Sequence, residues 1–214
     1  MRKPDSDLND NKPFSPESTE FLANFEYEYS SELNGMVITK YKGNEKAVLI
    51  PDTIGGKFVV SISGVKSSIP GHSTIITIGA FSRCTGLTSI LIPKSVTSIG
   101  EFAFNGCADL TNISIPKSLT IIGEGAFSRC TGLTSILIPK SVISIGAYAF
   151  NGCASLTSIS IPESVTIIGR NAFNGCTGLT SISMLDGVTS IGEFAMNLPE
   201  ARPRGIPLSS LRSQ

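Results

Sequence analysis

A single motif of 23 residues is written five times between Cys84 and Leu198, and its register never slips. The first copy reads CTGLTSILIPKSVTSIGEFAFNG. CADLTNISIPKSLTIIGEGAFSR, CTGLTSILIPKSVISIGAYAFNG and CASLTSISIPESVTIIGRNAFNG follow it. The fifth copy, CTGLTSISMLDGVTSIGEFAMNL, has lost its Ile-Pro and its closing Phe. All the cysteines of the chain, Cys84, Cys107, Cys130, Cys153 and Cys176, fall at the same place in the period. A fixed period of this length means stacked supersecondary units, because one unit cannot bury its own apolar face.

Within a copy the apolar positions assign a path. From Cys107 to Arg129, Leu110, Ile113 and Ile115 point inward while Thr111, Asn112 and Ser114 face out. That alternation predicts a short strand. Pro116 ends it, since proline cannot donate to a ladder. Leu119 and Ile122 form a second, shorter inward pair, and Gly123 is expected to permit a turn that a Cβ would resist. Ala126 and Phe127 close the rung, expected as one helical or 3-10 turn, and the next cysteine fills the corner. Stacked at the spacing of neighbouring strands, five full rungs and two irregular ones predict a rod about 30–35 Å long.

The pattern Leu-x-x-Ile-x-Ile-Pro-x-x-Val-x-x-Ile-Gly-x-x-Ala-Phe-x-x-Cys resembles the BspA-type leucine-rich repeat. The expected fold is therefore a repeat solenoid: a leucine-rich-repeat-like right-handed coil with short parallel β-strands and single helical or 3-10 turns at one corner. The resemblance also implies a surface-associated protein used in adhesion or in binding host matrix proteins.

Around the array the chain divides at 32, 83 and 198. Residues 1–32 carry three basic against eight acidic side chains and read as a polar, largely disordered segment. The apolar residues Phe21 to Tyr29 within it form a candidate lead-in over the first coil. Residues 33–83 read as an N-terminal cap with irregular coils. Met36–Tyr41 and Ala47–Ile50 are expected to form a hairpin around residues 42–45. Ile50-Pro51 then stands for Ile92-Pro93, and residues 59–62 for 96–99, with 52–57 lengthening the corner. Residues 63–83 lack one corner and are expected to bulge as a loop, in which Ser73 to Gly79 imitates Ser95 to Gly100. Residues 199–214, with three prolines if Pro199 is counted, form a tail expected to hang mostly free.

Several kinds of chemistry are not expected. There is no basic stripe for a phosphate backbone, so nucleic acid is not an expected partner. No apolar run is long enough for membrane insertion. The N-terminus has no apolar stretch after Arg2-Lys3, so it does not read as a secretory signal. A chain kept inside the cell and one whose export signal lies outside this sequence are both open. His72, the sole histidine, has no partner acid or nucleophile at any motif spacing, and no catalytic or phosphate-binding motif occurs. The expectation is a non-enzyme with no cofactor and no metal.

The cysteines read as buried thiols that pack a corner. Stacking would bring neighbours within disulfide range, yet parallel side chains disfavour the torsion a disulfide needs, and five is an odd number. A zinc site calls for clustered ligands rather than a spacing of 23.

What remains is the outward face of the first strand. Ser89, Asn112 and Ser135 form one column, and Leu91, Ser114 and Leu137 another. Lys94, Lys117 and Lys140 follow the prolines as a ridge that turns acidic at Glu163 and Asp186. Leu91 and Leu137 recur on every second rung. These nine residues, from Ser89 to Lys140, are the candidate binding face for a protein partner, with extracellular-matrix or host surface proteins implied by the resemblance. An intracellular repeat scaffold is the alternative, and a Thr/Ser array that orders water or ice is a further one. The residues do not specify an oligomeric state.

Overall fold

The computed structural model describes residues 22–68, 75–184 and 187–196. Successive 23-residue units lie one above another, each contributing two short strands and a closing corner. The second strands, Ser98–Ile99, Ile121–Ile122, Ser144–Ile145, Ile167–Ile168 and Ser190–Ile191, form one continuous parallel ladder in the expected register. The first strands form two ladders. Ala47–Leu49, Ser89–Leu91 and Asn112–Ser114 make one, and Ser135–Leu137, Ser158–Ile161 and Ser181–Met184 the other.

Like residues sit upon like through the interior. Phe81, Phe104, Phe127, Phe150 and Phe173 are fully buried in a stack, and from Phe104 onward the ring centroids are 5.4 Å apart. At the N-terminal end Tyr41 continues the stack, 5.0 Å from Phe81, and Phe25 packs against both. Met196 replaces the aromatic in the last copy and packs against the core half-buried.

The cap differs from the expected hairpin. Gly35–Tyr41 pairs antiparallel with Phe25–Ser30, not with residues 47–50, and it lies parallel to Lys57–Ile62 on its other side. The turn is made by residues 31–34, where Asn34 takes a positive φ of 49° that asparagine tolerates better than most residues. Phe25–Ser30 is therefore a strand of the sheet, with residues 22–24 leading into it, and residues 1–21 lie outside the described residues. Ala47–Leu49 instead opens the first rung, pairing with Ser89–Leu91 so that Ile50 stands level with Ile92. Ser61 and Ile62 pair with Ser98 and Ile99, as the sequence pattern requires.

Val65–Ser68 and Ile75–Ile78 also differ from the expected loop: they form an antiparallel hairpin, so Ile75–Ile78 does not imitate a second strand. The reason is positional: Lys57–Ile62 already occupies the place beside Ser98–Ile99, which leaves no ladder for a later segment to join. His72 lies outside the described residues, as does the tail from 197 onward.

The corner carries the i to i+3 hydrogen bonds of a 3-10 turn, but on alternate residues only. Ala103, Asn105 and Cys107 donate back to Gly100, Phe102 and Phe104, while Phe102, Phe104 and Gly106 donate across to Glu124, Ala126 and Ser128 of the next rung. This alternation needs left-handed backbone twice per rung. One column is Phe102, Gly125, Tyr148, Asn171 and Phe194, and the other is Arg83, Gly106, Arg129, Gly152 and Gly175. Gly123 is not among them. It is glycine because the preceding rung is too close: a Cβ there would sit 2.7 Å from the carbonyl carbon of Gly100, and one on Gly146 would sit 2.6 Å from the nitrogen of Glu124.

Candidate functional site

The outward residues of the first strands stand where the repeat places them. Asn112 pairs with Ser89 and Ser114 with Leu91, while Ser135 and Leu137 pair with Ser158 and Ser160. Leu91 is 52% exposed and Leu137 80%. Lys94, Lys117 and Lys140 are all exposed, as is Glu163, and Asp186 lies outside the described residues. The nine candidates do not share one ladder. Those up to Lys117 belong to the N-terminal ladder or the corner after it, and Ser135 and Leu137 belong to the C-terminal one, with Lys140 in the corner after it.

The N-terminal ladder borders a groove of about 520 Å³. Leu49, Ser89, Leu91, Asn112 and Ser114 line it together with Tyr41 and Glu45. The chain between the cap strand and the first rung runs along this groove. The hydroxyl of Tyr41 donates to Oε2 of Glu45, and Nδ2 of Asn24 donates to Oε1 at 3.1 Å. Tyr41 is itself buried by the aromatic stack, so the carboxylate is anchored to the core. Neither Tyr41 nor Glu45 belongs to a repeat copy, and for that reason the periodic pattern did not single them out.

A second exposed apolar set was also missed. Ile121 and Ile167 stand 47% and 49% exposed on the long ladder, and Ile143, 52% exposed, stands just before the strand Ser144–Ile145 between them. The signal is present in the sequence, where Thr-Ile-Ile and Ile-Ser-Ile replace Thr-Ser-Ile in the second, third and fourth copies.

The regular hydroxyls are used within the structure. Thr88 donates to the carbonyl of Lys46 at 2.8 Å, Thr111 to that of Thr88 at 3.2 Å and Thr180 to that of Thr157 at 3.2 Å. On the second strand Thr120 and Thr189 do the same to Thr97 and Thr166.

The thiols form a single file. Cys107, Cys130, Cys153 and Cys176 are buried and free, and each donates to the carbonyl of a Phe, at 3.1 Å in every case. Burial is the main cause that pushes the Cys107 thiol up from 9.0 to about 12, with the neighbouring Cys84 adding to it. Burial likewise takes Cys176 to about 12 and pushes up Cys130 and Cys153. Thiols held neutral in this way are poor nucleophiles and poor metal ligands. Among the described residues no group of His, Cys, Asp and Glu is arranged to hold a metal, and no helix is long and apolar enough to cross a membrane.

Comparisons with known proteins point one way. A family model described as the BspA type leucine rich repeat region matches residues 56–156 and 143–198, in six copies. The crystal structure of a leucine-rich repeat protein of T. pallidum is similar at 29% identity with a TM-score of 0.68, over 85% of this chain and 81% of that one. A leucine-rich repeat protein from Bacteroides ovatus is 30% identical with a TM-score of 0.60; the match takes in 83% of this chain but only 56% of that longer one. No curated protein matches the chain.

Proposed function

The chain belongs to the BspA type leucine-rich repeat family, and on that premise we propose that it is a non-enzymatic module that binds another protein along the outward face of its first strands. Repeat solenoids bind through extended surfaces of this kind. The observation that carries the reading is the pair Leu91 and Leu137, both exposed on hydrogen-bonded ladders that hold them in place. Apolar side chains anchored on a rigid backbone lose little entropy when a partner covers them. Lys94, Lys117 and Lys140 flank them and favour a partner with acidic residues along its edge.

Within this reading the partner is an extracellular-matrix or host surface protein and the role is adhesion, with an intracellular scaffold as the competing setting. Water ordering is disfavoured by the threonines: their hydroxyl protons go to carbonyls of the preceding rung and are not presented to a lattice. Solid-phase binding of the whole chain to immobilised matrix proteins tests the proposal. The Leu91→Asp/Leu137→Asp double variant is expected to bind at least tenfold more weakly than the parent chain. Equal binding by the two would remove this face from consideration.

A further inference from the structure

We propose that the groove at the N-terminal end of the first-strand face is a pocket for a basic side chain of the partner, a lysine or arginine that follows an apolar residue. The inference rests on the docking face proposed above and names the chemistry of one part of it.

Three observations carry it. The groove of about 520 Å³ is in the size range that holds a compact ligand or a few side chains. Its walls are largely apolar, with Leu49 and Leu91 placed to cover an aliphatic side chain. The charged group among its walls is Glu45, and the two hydrogen bonds it accepts come from the neutral donors Asn24 and Tyr41. Among the described residues no Lys or Arg lies within ion-pair distance of that carboxylate.

A carboxylate has room for about four hydrogen bonds, so two acceptor positions remain. The hydroxyl of a buried tyrosine and the amide of Asn24 fix the direction of the exposed carboxylate, and a preorganised anion beside apolar walls is complementary to an ammonium or guanidinium on a long aliphatic stem. Glu45 and the lysine ridge have opposite signs. A partner with a basic residue for the groove and acidic residues for the ridge can therefore seat in one direction only.

Two labelled, end-blocked hexapeptides of alternating sequence, Leu-Lys and Leu-Glu, serve as probes against the full chain, read by fluorescence anisotropy and by amide chemical shifts. The Leu-Lys peptide is expected to bind at least tenfold more tightly and to move the amides of Leu49, Ser89, Leu91 and Asn112. Glu45→Gln keeps an oxygen for Tyr41 and removes the charge; it is expected to abolish the preference. Glu45→Lys is expected to reverse it, which separates lost charge from lost structure. Ile167→Ser, exposed on the long ladder of second strands, should leave peptide binding unchanged. No binding of Leu-Lys, equal binding of both peptides, or an unchanged preference in Glu45→Gln would each overturn the proposal. A matrix-protein partner lost in Leu91→Asp/Leu137→Asp but retained in Glu45→Gln would overturn it while leaving the docking face intact.

Discussion

Each of the four buried thiols is hydrogen-bonded to a phenylalanine carbonyl and surrounded by apolar side chains, which ties its proton to the folded state. The sign of the pH dependence follows. In the unfolded chain a thiol loses its proton near 9.0, whereas in the fold Cys107 and Cys176 keep theirs up to about 12. Stability is therefore fully present below pH 9 and falls as the pH rises from there towards 12, by about 1.4 kcal/mol per pH unit for each thiol involved. Denaturant midpoints between pH 7 and pH 11 measure this decline. Cys107→Ala is expected to be less stable at neutral pH and to show a shallower alkaline decline; parallel curves for the two proteins would assign the decline to other groups.

At the scale of the element, the corner of the rung shows two different reasons for glycine. Gly146 lies against the backbone of the preceding rung, where an added Cβ meets Glu124 and Gly123 at 2.6 Å. Gly152 has a positive φ of 73°, and its Cβ would find ordinary contact with Arg129 at 3.6 Å. Gly146→Ala is therefore expected to cost about 3 kcal/mol, at the upper end for overpacking, because two backbones must separate. Gly152→Ala is expected to cost about 1 kcal/mol, the strain of one left-handed residue. Urea denaturation of the two variants checks the order. Much of the repeat was legible in advance: strand register, the phenylalanine stack and the buried thiols all follow from apolar residues recurring at one phase. The role of Gly123 was not, because an invariant glycine looks the same whether it serves torsion or close approach. The cap was misread for another reason. Phe25–Ser30 alternates Glu with aromatics, and that pattern shows only local amphipathicity, while the choice of Gly35–Tyr41 as its partner depends on the solenoid both then cover. Glu45 escaped notice because a site at the junction of cap and array has no periodic signature.

Over the whole molecule the stacked units are not equivalent. From Arg83 to Gly152 one left-handed column alternates Arg with Gly before Gly175 follows Gly152, and Phe102, Gly125, Tyr148, Asn171 and Phe194 alternate large with small in the other. The ring of Phe102 lies over the space where a Cβ on Gly125 would be, so a bulky residue in one layer relies on a slight one in the next. The same two-layer rhythm puts Leu91 and Leu137 on one face and Ile121 and Ile167 on another. Duplicating residues 107–152 keeps large beside small at its new junction, Tyr148 next to a second Gly125, whereas duplicating 107–129 alone sets Gly125 upon a second Gly125. Added layers stabilise a solenoid through their interfaces. The 46-residue duplication is thus expected to raise Tm by more than twice the change from the 23-residue one, as scanning calorimetry would show. Lineages of such arrays would then lengthen and shorten in even steps, and a gene that gained a single odd copy would carry a seam at which the protein frays first.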